Sequence, residues 1–496
     1  MSIISTSRKL HKWLMLFIGL QFLIWASTGS YMVIMSIDYI HGDSLVTNEA
    51  LPINANQLKV PLSVIQNSYP NAKQINITTL FADSSTSQVV YQFRQGKTWH
   101  LVNATSGMLL PNISKIQAQN IAKAHYTGSG AIIDSTLVTK ANGEINPRVL
   151  PAWKIQFADV GSPRLYISLQ TGEMVTKRHN FWSVFDWLYR FHIMDYGEQE
   201  NASNRLLLII AMFAAVASIT GVVLTYVSFV KVRGKAILPP KMSSKHHTTT
   251  IKQSKIKWIA WIRFAHRWLS LLVFLQLFIW LSTGLYFNLM NHQKASGNQH
   301  RQQLVEPIKK LSKHTLYPLT NVLRQFPLAT SIQVVERLTQ PYYLVTLSSG
   351  LYNNLVRHQQ LINANNGQLF TVNEEQVKRI ALQSYNGDGK LLKVRKLIPP
   401  INELPKQHNA LWRVDFNDKL ETSVYIDNQN AQVIAHVDDD KRLADLMFQL
   451  HFMDYANHGS FNNGIIIFMA LLTLLFALTG VYWLAHLIQH RQFRFR

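Results

Sequence analysis

The chain of 496 residues contains no cysteine, which excludes a disulfide framework, thiolate metal ligation and cysteine-held iron–sulfur clusters. Among the residue types that bind soft metals strongly, that leaves 19 histidines, with methionine as a weaker alternative. Acidic residues are scarce, 27 against 49 Lys and Arg, for a formal charge of +22. No phosphate-binding loop, dinucleotide fingerprint, HExxH or nucleophile elbow is present, so neither nucleotide chemistry nor the common hydrolase mechanisms have a local signature. Charge this basic can signal nucleic-acid binding, but its distribution says otherwise. Nine Lys/Arg and no Asp or Glu fall between Lys231 and Arg263. Arg8, Lys9 and Lys12 precede the first apolar run, and Arg491, Arg494 and Arg496 follow the last.

These clusters flank four runs long enough to span a bilayer: Trp13–Met35, Leu206–Val230, Trp268–Met290 and Gly464–Leu487. Basic residues mark the cytoplasmic side of membrane segments, so both termini and the central linker are expected inside and two large segments outside. The predicted order is a first transmembrane helix (1–35), external domain A (36–180), an interfacial plus second transmembrane helix (181–230), and a basic cytoplasmic linker (231–262). A third transmembrane helix (263–290), external domain B (291–440), an interfacial plus fourth transmembrane helix (441–488) and a basic tail (489–496) follow.

The chain also repeats itself. His11, Trp13, Gln21, Trp25, Ser27, Thr28, Gly29 and Tyr31 recur as His266, Trp268, Gln276, Trp280, Ser282, Thr283, Gly284 and Tyr286, at an offset of 255. Trp153, Tyr166, Asp186, His192, Met194, Asp195, Tyr196, Thr220 and Gly221 recur at an offset of 259, ending in Thr479 and Gly480. The second copy of the first helix lies mid-chain, where a cleaved signal cannot be, so the first copy reads as a retained helix. Both copies enter the membrane from one side, which predicts parallel repeats about a pseudo-twofold axis along the membrane normal. Four stretches read as strand, tight turn, strand: Trp99–Leu110, Arg164–Val175, Gln359–Phe370 and Thr422–Ile434. Gly107, Gly172 and Gly367 occupy matching turn positions, and Ala431 departs from them. Helix-like stretches precede them at Gln57–Ser68, Ser114–Ala124, Lys309–Gln325 and Glu374–Ser384, giving four small α/β units at about 50–111, 112–180, 304–371 and 372–440.

The opening His11-Lys12-Trp13 with a later Ser-Thr-Gly, the Phe-His and Leu-His motifs before the returning helices, and the small helix-plus-sheet units together resemble PepSY-associated transmembrane proteins. The likeness covers almost the whole chain, and is strongest to the bacterial inner-membrane iron-uptake group that includes ferrisiderophore reductases. It implies a four-helix transmembrane bundle with two external α+β domains of PepSY-like units, b-type haem held by transmembrane histidines, and electron delivery to a ferric chelate outside. The flavodoxin-like or flavin reductase domain of some relatives has no counterpart in this chain.

Read on their own, His11 and His266 sit at equivalent helix starts, where a pseudo-twofold axis could bring two imidazoles to one haem iron; membership of a basic interfacial belt is the alternative. His192 and His451 precede the returning helices. Phe181, Phe185, Leu188 and His192, spaced four, three and four apart, share one face of an amphipathic helix expected over 181–194. These four histidines are the candidate haem ligands, at two depths; His486, Met194 and Met453 are spare candidates, with an interfacial place the favoured reading of His486 and apolar packing that of the methionines. Gln21 and Gln276 are expected to face the bundle interior, bonding each other or a cofactor, and Trp25 and Trp280 to pack or to line a path between cofactors. Asp186, Asp195, Asp445 and Asp454 could orient imidazoles or cap helices. Ser-Thr-Gly supplies small residues for close helix contact.

The expected function is a reductase with two haem b groups and no flavin or nicotinamide site. It would pass electrons across the inner membrane from a quinol, reduced flavin or protein to a ferric siderophore or other periplasmic acceptor. A PepSY-type binding or regulatory membrane protein without redox activity is the alternative, and a non-redox carrier of chelated iron a third.

Overall fold

A computed structural model describes residues 3–47, 50–81, 86–197, 202–230, 251–302 and 316–491. Most of the expected central linker, the end of the basic tail and the first part of the helix expected at Lys309–Gln325 lie outside those residues. The chain forms two compact units. One comprises Met1–Ile37, Val184–Asn291 and Ala444–Arg496, the other Asp38–Ser183 and His292–Leu443.

The first unit is helical: α1 (Ile3–Ile34), α2 (Asn180–His192), α3 (Arg205–Val230), α4 (Ile251–Leu289), α5 (Asp439–Phe452) and α6 (Gly464–Gln489). Within α1, α3, α4 and α6 lie four spans long and apolar enough to cross a membrane. α4 begins at Ile251 rather than at 263, because no glycine or proline interrupts the sequence before Gly284. α1 packs mainly on α3 and α6, and α4 packs on the same two, so α1 and α4 face each other across a ring of four. Small residues make the seams: Ile18 meets Ala214 and Ala217, while Phe22 and Ala26 meet Ala477. In an apolar solvent, helices associate through such close packing rather than through hydrophobic burial. Asn463 caps α6 by accepting from the Ile465 and Ile466 amides, and its own amide reaches the Phe452 carbonyl. Asn204 bonds the Leu207 amide and the Ile193 carbonyl in the same way at the start of α3.

The second unit is built of strands. Its first half holds β1 (Lys73–Phe81), β2 (Ser87–Gln95), β3 (Thr98–Asn103), β4 (Ile132–Val138), β5 (Ala152–Phe157), β6 (Arg164–Ser168) and β7 (Met174–Arg178). Its second holds β8 (Ser331–Arg337), β9 (Gln340–Ser349), β10 (Arg357–Asn363), β11 (Leu369–Phe370), β12 (Leu391–Leu397), β13 (Leu411–Phe416), β14 (Ser423–Asp427) and β15 (Val433–Val437). β4–β7 and β12–β15 make two four-stranded antiparallel sheets.

The segments predicted as separate external domains do not stay apart. β1 pairs with β8 through Asn76–Gln333, Ile77–Ile332 and Thr78–Ser331, giving one sheet ordered β11-β10-β9-β8-β1-β2-β3. Each strand would otherwise be an open edge, and pairing satisfies both. This sheet is buried on both faces, as its alternating side chains show. Val89, Tyr91 and Phe93 of β2 join Tyr343 and Val345 of β9 against the helices Leu62–Ser68 and Leu319–Gln325. Val90 packs the other way, with Ile121 of the helix Lys115–His125 and with Ile155 and Phe157. Tyr342 and Leu344 likewise meet Val377 and Ile380 of the helix Glu374–Ser384, with Val414 and Phe416. The last two helices open with capping boxes, Ser114 with Gln117 and Asn373 with Gln376. The hairpin turns take positive φ at Gly107, Gly172 and Gly367, between 73° and 74°, and also at Ala431, at 56°.

Candidate histidine pairs in the helical unit

His11 lies in the third turn of α1, and its Nδ1 is 2.9 Å from the Ala217 carbonyl and 3.3 Å from Thr220 Oγ1, both on α3. His266 of α4 has Thr479 Oγ1 of α6 at 3.1 Å from Nδ1, and stacks on Phe476 at 4.5 Å. His192 ends α2 with its Nδ1 3.0 Å from Thr28 Oγ1 of α1. His451, near the end of α5, has its Nδ1 2.8 Å from Thr283 Oγ1 of α4. The four histidines singled out in the sequence thus share one arrangement, each reaching a threonine on another helix through Nδ1. Among the described residues no protein group bonds their Nε2 atoms.

The four imidazoles fall into two pairs. His266 lies within electrostatic reach of His11, and His451 within reach of His192. Thr28 follows His11 on α1, and Thr283 follows His266 on α4, by 17 residues. At 1.5 Å per residue that is about 25 Å of helix, close to the thickness of a bilayer's hydrocarbon core. One pair therefore sits near one end of the bundle and the other near the opposite end.

Glycines let the helices approach these rings. A Cβ on Gly480 would lie 3.0 Å from His266 Cε1, one on Gly221 would lie 3.2 Å from His11 Cε1, and one on Gly29 would lie 3.4 Å from His192 Cε1. The imidazoles of His11 and His266 are therefore wedged against backbone that leaves little room for a larger residue, while the contact at Gly29 is close to ordinary van der Waals distance.

The remaining candidates divide. Gln276 is buried and bonds the Leu450 carbonyl at 3.4 Å, and the expected bond between Gln21 and Gln276 is not formed. The two amides sit on helices facing each other across the ring, whose main contacts are with α3 and α6. The Gln21 Nε2 is buried and has no hydrogen-bond partner among the described residues. Trp280 donates its indole N–H to the His451 carbonyl at 2.6 Å, steadying the end of α5, while Trp25 packs with Ile18, Phe22 and Ala214. Met194 and Met453 are buried and have positive φ, 53° and 50°. Each takes the left-handed position that ends α2 or α5, with Asp195 N bonded to Arg190 O and Asp454 N to Gln449 O. His486 meets His490 at the C-terminal end of α6, with 4.0 Å between ring centroids. Asp186 pairs with Arg190, Asp195 accepts from the Gly197 amide, and Asp454 accepts from the His458 and Gly459 amides, so these carboxylates brace helix and loop.

The threonines are the residues that spacing alone missed as partners, although each stands in a repeated motif: Thr28 and Thr283 in Ser-Thr-Gly, Thr220 and Thr479 in Thr-Gly.

In the sheet unit a buried polar cluster surrounds Asp418, which accepts from Tyr385 Oη, Thr422 Oγ1 and His300 Nδ1. Burial works against its charge, but these bonds with the Thr422 amide outweigh that and hold the carboxyl down to about 2. Tyr126, Gly130 and Asp159 form a smaller version in the first half. Both clusters tie a loop between strands to the end of a helix.

No curated protein sequence matches the chain. The PepSY-associated TM region matches it from residue 8 to residue 486, nearly end to end and across both histidine pairs, and the chain belongs to the PepSY-associated transmembrane family.

Proposed function

We propose that this protein is a haem-containing reductase of the bacterial inner membrane that passes electrons to a periplasmic acceptor, a ferric siderophore, in iron uptake. The observation that carries the proposal is the repeated imidazole geometry. Four histidines in two pairs have Nδ1 engaged and, among the described residues, Nε2 without a protein partner. A metal-bound histidine characteristically donates its other ring N–H to a protein acceptor, which is the state these side chains are built for. The orphaned Gln21 amide is a second polar group with an unused bond inside the same bundle. The residues present therefore fit two haems, His11 and His266 holding one and His192 and His451 the other. Haem bound by two imidazoles supplies a one-electron carrier.

The repeated residues further support reading the chain as a tandem duplication with α1 and α4 equivalent about a pseudo-twofold axis, so that each pair takes one ligand from each copy. Basic residues at the termini and linker support a cytoplasmic location for them and a periplasmic one for the sheet unit. In that orientation the His192–His451 pair lies on the acceptor side. Reduction suits a siderophore because Fe²⁺ is held less firmly than Fe³⁺ by hard oxygen ligands. The donor would be a quinol, a reduced flavin or another protein.

The test is the visible spectrum of the detergent-solubilised protein, oxidised and dithionite-reduced, with a pyridine haemochrome assay. Two haem b per chain are expected, falling to one in His11→Ala or His192→Ala. A colourless protein that takes up no added haem would remove the proposal, and would favour a binding or regulatory role for the sheet unit.

A further inference from the structure

The hydrogen positions at the four threonines follow from counting. A threonine hydroxyl carries one hydrogen, and a backbone carbonyl can only accept. Thr28 Oγ1 lies 2.7 Å from the Ile24 carbonyl, Thr283 Oγ1 2.7 Å from Ile279, Thr220 Oγ1 2.9 Å from Ala217 and Thr479 Oγ1 2.8 Å from Phe476. Each hydroxyl hydrogen is thereby committed to its own helix. What each threonine turns toward the imidazole is a lone pair, and only an Nδ1–H can bond it. At His11 the Ala217 carbonyl, 2.9 Å from Nδ1, requires the same proton. All four rings are then Nδ1–H tautomers with the Nε2 lone pair free.

We propose that Thr28, Thr283, Thr220 and Thr479 are positioning residues, each locking one histidine as the Nδ1–H tautomer and aiming its Nε2 as a metal ligand. The tautomer assignment stands on the geometry alone, whereas the ligand role rests on the haem reading given above. Backbone bonding by a hydroxyl is common in apolar helices and by itself signifies nothing. Ser30 shows the ordinary case: its Oγ bonds Ala26 O on its own helix and Ala470 O on α6, with no titratable partner. The threonines differ because all four meet the same ring atom of a histidine on another helix. The crossing alternates: α3 and α6 supply the threonines for His11 and His266, while α1 and α4 supply them for His192 and His451. The acceptors are neutral, so the ligands remain neutral imidazoles with modestly increased basicity. Removing an acceptor lowers electron donation to the iron, destabilises its ferric state and moves the midpoint potential upward.

The experiment compares Thr28→Val and Thr28→Ser, and the same substitutions at Thr283, in the full chain in detergent. Haem content and the midpoint of each haem are measured by spectroscopic titration. The valine variants are expected to raise the midpoint of one haem and leave the other in place, and the serine variants to stay near the wild-type value. Valine and serine variants both at the wild-type potential would overturn the proposal. A second measurement needs neither haem nor a variant at threonine. Full-length protein labelled with ¹⁵N-histidine and produced without haem supply is examined by long-range ¹H–¹⁵N correlation, with resonances assigned by single His→Ala changes. Nδ1–H signatures at His11, His192, His266 and His451 support the lock, and an Nε2–H signature at any of them overturns it. A wild-type chain unable to bind haem would sink the reductase reading, while the tautomer measurement would still decide whether the lock exists.

Discussion

Two of the candidate ligands pack against residues with no side chain. A methyl group at Gly480 would stand 3.0 Å from His266 Cε1 and one at Gly221 3.2 Å from His11, while at Gly284 nothing lies within 4 Å. Overpacking of this kind costs about 1–3 kcal/mol, roughly a five- to hundredfold weakening if the imidazole must leave its bound position. Gly480→Ala is therefore expected to weaken haem retention at the His11–His266 site, and Gly284→Ala to leave both sites unchanged. Haem titration and the low-spin spectrum check this, and equal retention in the two variants would refute the wedge. The histidines were legible in the sequence because two offsets carry them in register with Trp, Gln and Asp. Their threonine partners were visible only as small residues suited to close packing. A hydroxyl's bond to another helix depends on how the helices are arranged, and spacing along its own helix does not encode it. The same limit applies to Gln21 and Gln276: an interior amide must find a partner, but the sequence does not say that Gln276 finds Leu450 O on another helix rather than Gln21.

At the level of single elements, local chemistry was the reliable guide. The hairpin glycines were legible because positive φ leaves few other choices. Gly367→Ala is the sharper test of the two demands on such a turn. Its φ of 74° disfavours a side chain by about 1–2 kcal/mol. An added Cβ would also collide with the ring of Tyr317, a residue whose backbone carbonyl anchors the Tyr343 hydroxyl. The variant is expected to lose at least that stability, read as a lower unfolding midpoint of the sheet unit by tryptophan fluorescence. An unchanged midpoint would mean the turn shifts freely. Ala431 holds the corresponding place with a Cβ, so the motif tolerates that cost where the surroundings leave room. Met194 and Met453 escaped local reading because the left-handed residue after a helix is usually glycine. Apolar packing was the favoured reading of both, and both are buried, but neither was read as a cap.

For the whole molecule, the join between the two halves of the sheet unit was the least legible feature. β1 and β8 each carry an ordinary alternating pattern, and nothing local states that either edge will meet the other. The consequence is energetic coupling. Ile77 and Ile332 are opposite one another at the seam and fully buried, in one core with Ile65, Tyr91, Val322 and Tyr343 from both halves. Deleting most of a buried isoleucine side chain costs about 2–5 kcal/mol. If the seam makes the halves one cooperative body, Ile332→Ala destabilises β1 and β2 as much as β8 and β9, although the substituted residue belongs to the second half. Hydrogen exchange of the full chain measures this directly. Parallel loss of protection in β2 and β9 is the expected result, and loss confined to β8 and β9 would mean that two separately folded halves merely touch.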